Sequence, residues 1–323
     1  MKELGKTPVV VRELVGDEAA DQRVDNFLLR YCRGVPKSHI YQIVRSGQVR
    51  VNGKRVAPAH RLKSGDELRI PPLRVSQAAC SPPVSGSQRQ LEVLFEDDAL
   101  LALNKPAGMA VHGGSGVSYG VIELLRHQRA RAKFLELAHR LDRDTSGILL
   151  LAKRRSALTA LHSMLREGTV RKHYLTLVKG RWLPLFEEIS LPLHKYVTGA
   201  GERRVSLRAD GKASLSVVRP LVRWPQLSLL DVELKTGRTH QIRVHLAHLG
   251  YPLCGDDKYG DFALNKELQR QGLKRMFLHA ASVTLSHPAT GKPLELSAVL
   301  PDELKVFLAR LDKSDGREYQ TPF

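Results

Sequence analysis

The chain has 323 residues, 42% of them hydrophobic, enough for two cores or for one large core with an appendage. Its formal net charge of +18 points to an anionic partner, nucleic acid first, while Cys32, Cys80 and Cys254 are too sparse and scattered for a disulfide framework or a Cys-x-x-Cys zinc site. No apolar run approaches the roughly 18 residues of a membrane span, and Glu3, Glu13, Asp17 and Glu18 argue against a signal or basic transit peptide, so the cytoplasm and no membrane partner are expected.

Residues 1–21 read as an N-terminal extension. Residues 22–72 then carry eleven Lys or Arg against three acids, far denser than the chain average. Val24, Phe27, Leu28 and Tyr31 recur at helical spacing, and Gly34-Val35-Pro36 ends that helix. Ser38 is the expected cap of a second helix with Ile40, Ile43 and Val44 on its inner face, and Gly47 stops it. Val49-Arg50-Val51 predicts a strand, Asn52-Gly53 a hairpin turn, and Glu67 to Ile70 a returning strand. The segments Arg23 to Leu28, Ser38 to Ile43 and Gly47 to Lys54 together resemble the small S-four-type RNA-binding domain. That resemblance makes Lys37, Arg45, Arg50, Lys54 and Arg55 candidate RNA contacts, and the charge agrees independently.

Residues 73–90, rich in Ser and Pro without apolar period, read as a flexible linker. From 91 to 311 strand-like runs dominate, at Leu91–Phe95, Leu100–Asn104, Gly147–Ala152, Lys172–Val178, Ala213–Pro220, Leu227–Lys235, Ala281–Leu285 and Leu294–Val299. Helical patterns intervene at Val121–Arg131, Ser156–Glu167, His240–Leu249 and Asp302–Leu311. Several strands follow one another directly. That predicts an α+β chain, a small helix-helix-hairpin domain followed by a larger domain on a mixed, mostly antiparallel sheet. Residues 312–323 read as a loose tail.

The polar segment His139-Arg140-Leu141-Asp142-Arg143-Asp144-Thr145-Ser146-Gly147 runs into an apolar strand, where a rigid scaffold can present reactive groups. Read alone it admits several chemistries. A glycosidase would pair Asp142 with Asp144. A zinc hydrolase would draw on His139, His240, His245 or His248, but no His-Glu-x-x-His pattern exists and solvated or core histidines fit better. Ser146 lacks a nucleophile elbow.

Other segments narrow the choice. Asn104-Lys105-Pro106-Ala107-Gly108, Val170-Arg171-Lys172-His173-Tyr174, Thr236-Gly237-Arg238-Thr239-His240-Gln241-Ile242-Arg243 and Phe277-Leu278-His279-Ala280 stand in order with the polar segment. Together the five resemble the RluA family of pseudouridine synthases, and the stretches around Gly34–Arg55, His112–Leu125 and Phe134–His162 are similar to its C-type, large-ribosomal-subunit branch. The resemblance implies isomerisation of uridine to pseudouridine in large-subunit ribosomal RNA, by a monomer, with no cofactor or metal. It implies Asp142 as the catalytic carboxylate, kept ionised by a buried pair with Arg243. Tyr174 would stack on the uracil and assist loss of the proton at carbon five, and Leu278 would pack on the base. Arg140 would enter the place left by the flipped base, and His139 would fix the loop. Lys172 and Arg238, with Lys105, Lys153, Arg154 and Arg155, would contact phosphates or close ion pairs. Two alternatives stay open, a non-catalytic RNA-binding assembly protein and an RNA N-glycosidase.

Overall fold

A computed structural model describes residues 10–32, 35–73, 90–113, 119–199 and 201–315. The chain divides into two compact units, residues 1–81 and 82–323. Most of the expected linker, and residues 316–323 of the expected tail, lie outside the described residues.

The first unit contains β1 (Val11–Leu14), α1 (Val24–Tyr31), α2 (Lys37–Arg45), β2 (Arg50–Val51), β3 (Lys54–Arg55) and β4 (Glu67–Ile70), with the strands in the order β1-β4-β2-β3. The two helices bury Val24, Phe27 and Leu28, and Ile40, Ile43 and Val44, against Val49, Val51, Leu62, Leu68 and Ile70. The turn between β2 and β3 places Asn52 at φ 49° and Gly53 at φ 74°, the left-handed pair that a tight hairpin needs. Two expectations change here. Ser38 does not cap α2, because the helix already begins at Lys37, with Pro36 at the cap and its carbonyl accepting from Ile40 N–H at 3.1 Å. The unit also starts before residue 22, since Val11–Leu14 pairs along Glu67–Ile70 and Val15 and Ala19 enter the same core. That strand is too short and too mixed in polarity to announce itself.

The second unit contains β5 (Glu92–Glu96), β6 (Leu100–Lys105), α3 (Val121–Gln128), β7 (Glu136–Leu137), β8 (Ser146–Ala152), α4 (Arg155–Glu167), β9 (Arg171–Lys179), β10 (Glu187–Ser190), β11 (Leu193–Val197), β12 (Arg203–Leu207), β13 (Leu215–Arg223), β14 (Leu227–Leu234), α5 (Gln241–His248), α6 (Phe262–Arg270), β15 (Leu278–Ser286), β16 (Pro293–Ser297) and α7 (Asp302–Ser314). Its large sheet runs β10-β13-β14-β9-β15-β8-β6-β5, with β16 on β15 and β7 on β8, and β11-β12 stands apart as a two-stranded hairpin. Among the described pairings β8–β15 is the parallel one and the rest are antiparallel. The α+β reading therefore holds.

Period-two alternation explains the layers. Leu101, Leu103, Leu149 and Leu151 of β6 and β8 face one core with Tyr174, Ile242, Leu246 and Leu278. Leu100, Ala102, Ile148 and Leu150 face a second core covered by Ala157, Leu158 and Leu161 of α4. Both faces of β8 are buried, which is why its sequence is an unbroken apolar run. The C-terminal helix extends past its expected end at Leu311, because buried Asp312 accepts a hydrogen bond from Trp224 Nε1 at 3.0 Å. Among the described residues no helix is long and apolar enough to cross a membrane.

Candidate active site

The polar segment forms the loop between β7 and β8, and its backbone is pinned from below. Buried Lys105, at the end of β6, donates from Nζ to Pro106 O and Met109 O at 2.8 Å and to Arg143 O at 3.0 Å. Arg275 Nη2 donates to Ser146 Oγ at 2.8 Å, Leu278 O at 3.2 Å and Asp144 O at 3.3 Å. Lys105 is thus an internal brace and not the phosphate contact or ion-pair partner expected of it. Burial, then the charge of Arg275, lowers its pKa. Lys153 and Arg154 do close ion pairs, with Glu96 at 2.7 Å and Asp98 at 2.9 Å. Gly147, at φ 105°, enters β8 where a Cβ would lie 2.2 Å from Ala280 O, so the close parallel approach of β8 and β15 needs glycine there.

Above this brace a cleft of about 590 Å³ gathers His139, Arg140, Asp142, Lys172, Tyr174, Arg238, Arg243 and Leu278. Lys105, Lys153, Arg154 and Arg155 do not line it. Those that do come from the Asp142 loop, β9, the segment before α5, α5 itself and the start of β15. Asp142 keeps 20% of its side chain exposed, and its Oδ2 receives Arg243 Nη1 at 3.3 Å. Among the described residues, every polar contact of this carboxylate runs to Oδ2, which leaves Oδ1 without a protein partner.

Arg243 differs from the simple pair expected. Its tightest partner is fully buried Asp256, which takes Nε at 2.7 Å and Nη2 at 2.6 Å in a two-pronged pair. Tyr259 places its ring 5.1 Å from the guanidinium carbon. Burial opposes the charge on Arg243, but hydrogen bonds and charge from Asp256, then Asp142, outweigh it and raise its pKa. Asp256 in turn holds two backbone N–H groups, of Lys258 at 2.8 Å and Tyr259 at 3.1 Å. The guanidinium is therefore fixed before Asp142 meets it.

His240, weighed in the sequence only as a metal ligand or as a solvated or core histidine, also stands at Asp142. Its Nε2 stands 3.8 Å from Asp142 Oδ2, and its Nδ1 is hydrogen-bonded with Tyr259 Oη at 2.8 Å. It holds the left-handed backbone, φ 54°, which few non-glycine residues adopt. Reading it as a solvated or core histidine missed that role. Its place in the segment before Arg243 was the available signal. Nothing local in the sequence marks Asp256 as the partner of Arg243.

The remaining side chains have clear settings. His139 Nε2 accepts from Leu150 N–H at 3.1 Å, and burial, then the Lys172 charge, lowers its pKa to about 4, so it is a neutral loop fastener. Burial lowers the pKa of Lys172. Burial, then the negative charge of Asp142, raises that of the Tyr174 phenol, which keeps its proton. Arg140 and Arg238 are exposed, and Arg238 Nε donates to Ala213 O at 3.1 Å. In the first unit Lys37, Arg45, Arg50, Lys54 and Arg55 are all exposed. Lys37 and Arg45 stand 5.8 and 5.7 Å from the Tyr41 ring centroid and share a shallow groove with it. Arg50 and Arg55 spend donors on Gly53 O at 3.1 Å and Arg45 O at 2.7 Å.

A sequence profile described as RNA pseudouridylate synthase matches residues 99–248, and one for the S4 domain matches residues 22–68. The chain is 48% identical over 301 residues, 92% of each chain, to ribosomal large subunit pseudouridine synthase C of Pasteurella multocida (strain Pm70). This chain belongs to the RNA pseudouridylate synthase family. The synthase is also 47% identical over 312 residues to ribosomal large subunit pseudouridine synthase C of Escherichia coli O157:H7, covering 95% of this chain and 98% of that one. Among solved structures, human RNA pseudouridylate synthase domain containing 4 superposes with a TM-score of 0.56 at 25% identity, over 68% of the synthase and 92% of that chain. The S4 match falls on the basic first unit, so the synthase carries an RNA-binding domain beside its catalytic one.

Proposed function

We propose that this synthase isomerises uridines in large-subunit ribosomal RNA, with Asp142 as the catalytic carboxylate, acting as a monomer in the cytoplasm. The observation that carries the reading is the Asp142 carboxylate itself. One oxygen is tied to a buried arginine and the other is left for the sugar, in a cleft that also holds an aromatic ring and an apolar side chain. The bond between C1′ and N1 breaks, the base turns, and C1′ joins C5. The proton on C5 then leaves and N1 gains one, so atoms balance without any redox partner. Asp142 Oδ1 serves this either by attacking C1′ or by taking a proton from the sugar.

Tyr174 and Leu278 supply two surfaces for the uracil. Because the phenol stays protonated, Tyr174 assists at C5 as a hydrogen-bonding and stacking group and not as a free phenolate. Flipping the base costs a few kcal/mol, offset by stacking and phosphate contacts. Arg140, flat, charged and exposed at the rim, suits the vacated position. Lys172 and Arg238 face the backbone, and Lys37, Arg45, Arg50, Lys54 and Arg55 bind RNA through the first unit. The ribosomal substrate rests on the names of the relatives. Mapping pseudouridine across large-subunit RNA from cells with and without the protein tests it. Loss of specific large-subunit sites is expected, and an unchanged map with losses in other RNAs contradicts the substrate class.

A further inference from the structure

Three segments distant in sequence bring cations together at the mouth of the cleft. Arg140 stands in the Asp142 loop and Arg238 before α5, both exposed and both on the cleft wall. The Arg238 hydrogen bond to Ala213 O ties it to the chain one residue after Lys212. Lys212 exchanges two backbone hydrogen bonds with Leu193, each 2.9 Å, at the start of β11. Lys195 lies two residues along that strand, on the same face as Leu193 by strand alternation. Burial, then the charges of Arg140, Lys212 and Arg238, lower the Lys195 pKa, in keeping with a cationic neighbourhood around that strand.

Among the described residues, Arg140, Lys195 and Lys212 close no ion pair. Of the acids flanking the two lysines, Glu202 is taken by Lys258 at 2.6 Å and Arg204 at 2.8 Å, and Asp210 by Arg208 at 2.9 Å. Uncompensated like charge raises the energy of the folded state and lowers it again when an anion binds. The hairpin is also held firmly to the site. Val205 N–H donates to Tyr259 Oη at 2.8 Å, Arg204 Nη1 to Lys258 O at 3.3 Å, and Leu193 and Val205 pack on Val244 of α5. Tyr259 in turn touches both His240 and Arg243.

We propose that Lys195 and Lys212, with Arg238, form a seat for RNA backbone phosphodiesters next to the flipped nucleotide. The proposal rests on reading the cleft as the uridine site. The lysines touch no reacting atom, so their contribution falls on binding.

The test uses the full chain, an unmodified large-subunit RNA transcript, and the double variant Lys195→Ala/Lys212→Ala, whose positions are exposed. KM should rise about tenfold or more with kcat little changed, and the slope of log Kd on log salt should become shallower by about 1.4, two contacts at roughly 0.7 each. The Lys195→Arg/Lys212→Arg pair should restore both. Unchanged KM and salt slope, or a loss confined to kcat, overturns the seat. Asp142→Asn is run beside it. Turnover by that variant would overturn the uridine-site reading whatever the lysines do, whereas an inactive Asp142→Asn with wild-type behaviour of the lysine pair overturns the seat alone.

Discussion

At Asp142 the neighbours divide the work of holding one side chain. Arg243 reaches its Oδ2 and Asp256 holds Arg243 still. Asp256→Asn should therefore damage catalysis without touching substrate. It leaves a buried guanidinium with a weaker partner, which costs about 3 kcal/mol or more in such settings. The resulting misplacement of Asp142 lowers kcat by roughly 10²-fold. Urea unfolding and single-turnover rates read the two effects separately, and a stable variant with normal kcat would remove Asp256 from the positioning network. The Asp142–Arg243 contact was implied by the family resemblance. The Asp256 contact was not, because nothing about a Gly-Asp-Asp turn says which cation it will meet once α5 folds back.

At the level of elements, legibility follows burial. Strand β8 is buried on both faces and α4 has one apolar stripe, so each was visible in the pattern. Helix α6 was missed because it buries only Leu268, and its start depends on Asp261 accepting from Ala263 N–H and Leu264 N–H at 3.0 Å. Hairpin β11-β12 was missed because it buries only Leu193 and Val205. Strand β15 begins three residues before its expected start, at Leu278, and so delivers that side chain to the cleft. In the first unit α1 and α2 are joined by fully buried Asp25. It accepts from Arg23 at 2.6 and 3.1 Å, Tyr41 Oη at 3.0 Å and Asn26 N–H at 2.8 Å. Burial opposes its ionisation, but these bonds prevail and lower its pKa below 3.8. Its contribution to stability is thus present above the unfolded value and lost as pH falls through the folded one. The stability gap between wild type and Asp25→Asn should be largest near pH 7 and shrink below pH ~4. Chemical unfolding at both pH values measures it, and a gap independent of pH would deny the ionised carboxylate this role.

At the scale of the whole molecule, a basic first unit and a catalytic second unit each have their own hydrophobic core. Composition pointed to RNA as partner, and said nothing about the reaction. Deleting residues 1–85 should weaken RNA binding and flatten its salt dependence, because exposed cations such as Lys37 and Arg45 are lost. Residual isomerisation of a short RNA should survive, since the cleft is built from the second unit. A folded truncation with no activity would show that the units share the chemistry.

The most direct measurement concerns Asp142. Pseudouridine formation and RNA binding are followed in parallel for wild type, Asp142→Asn and Asp142→Ala. Both variants should bind RNA with near-normal affinity, because the carboxylate is one contact among many, and neither should form pseudouridine. Normal turnover by Asp142→Ala would contradict the account.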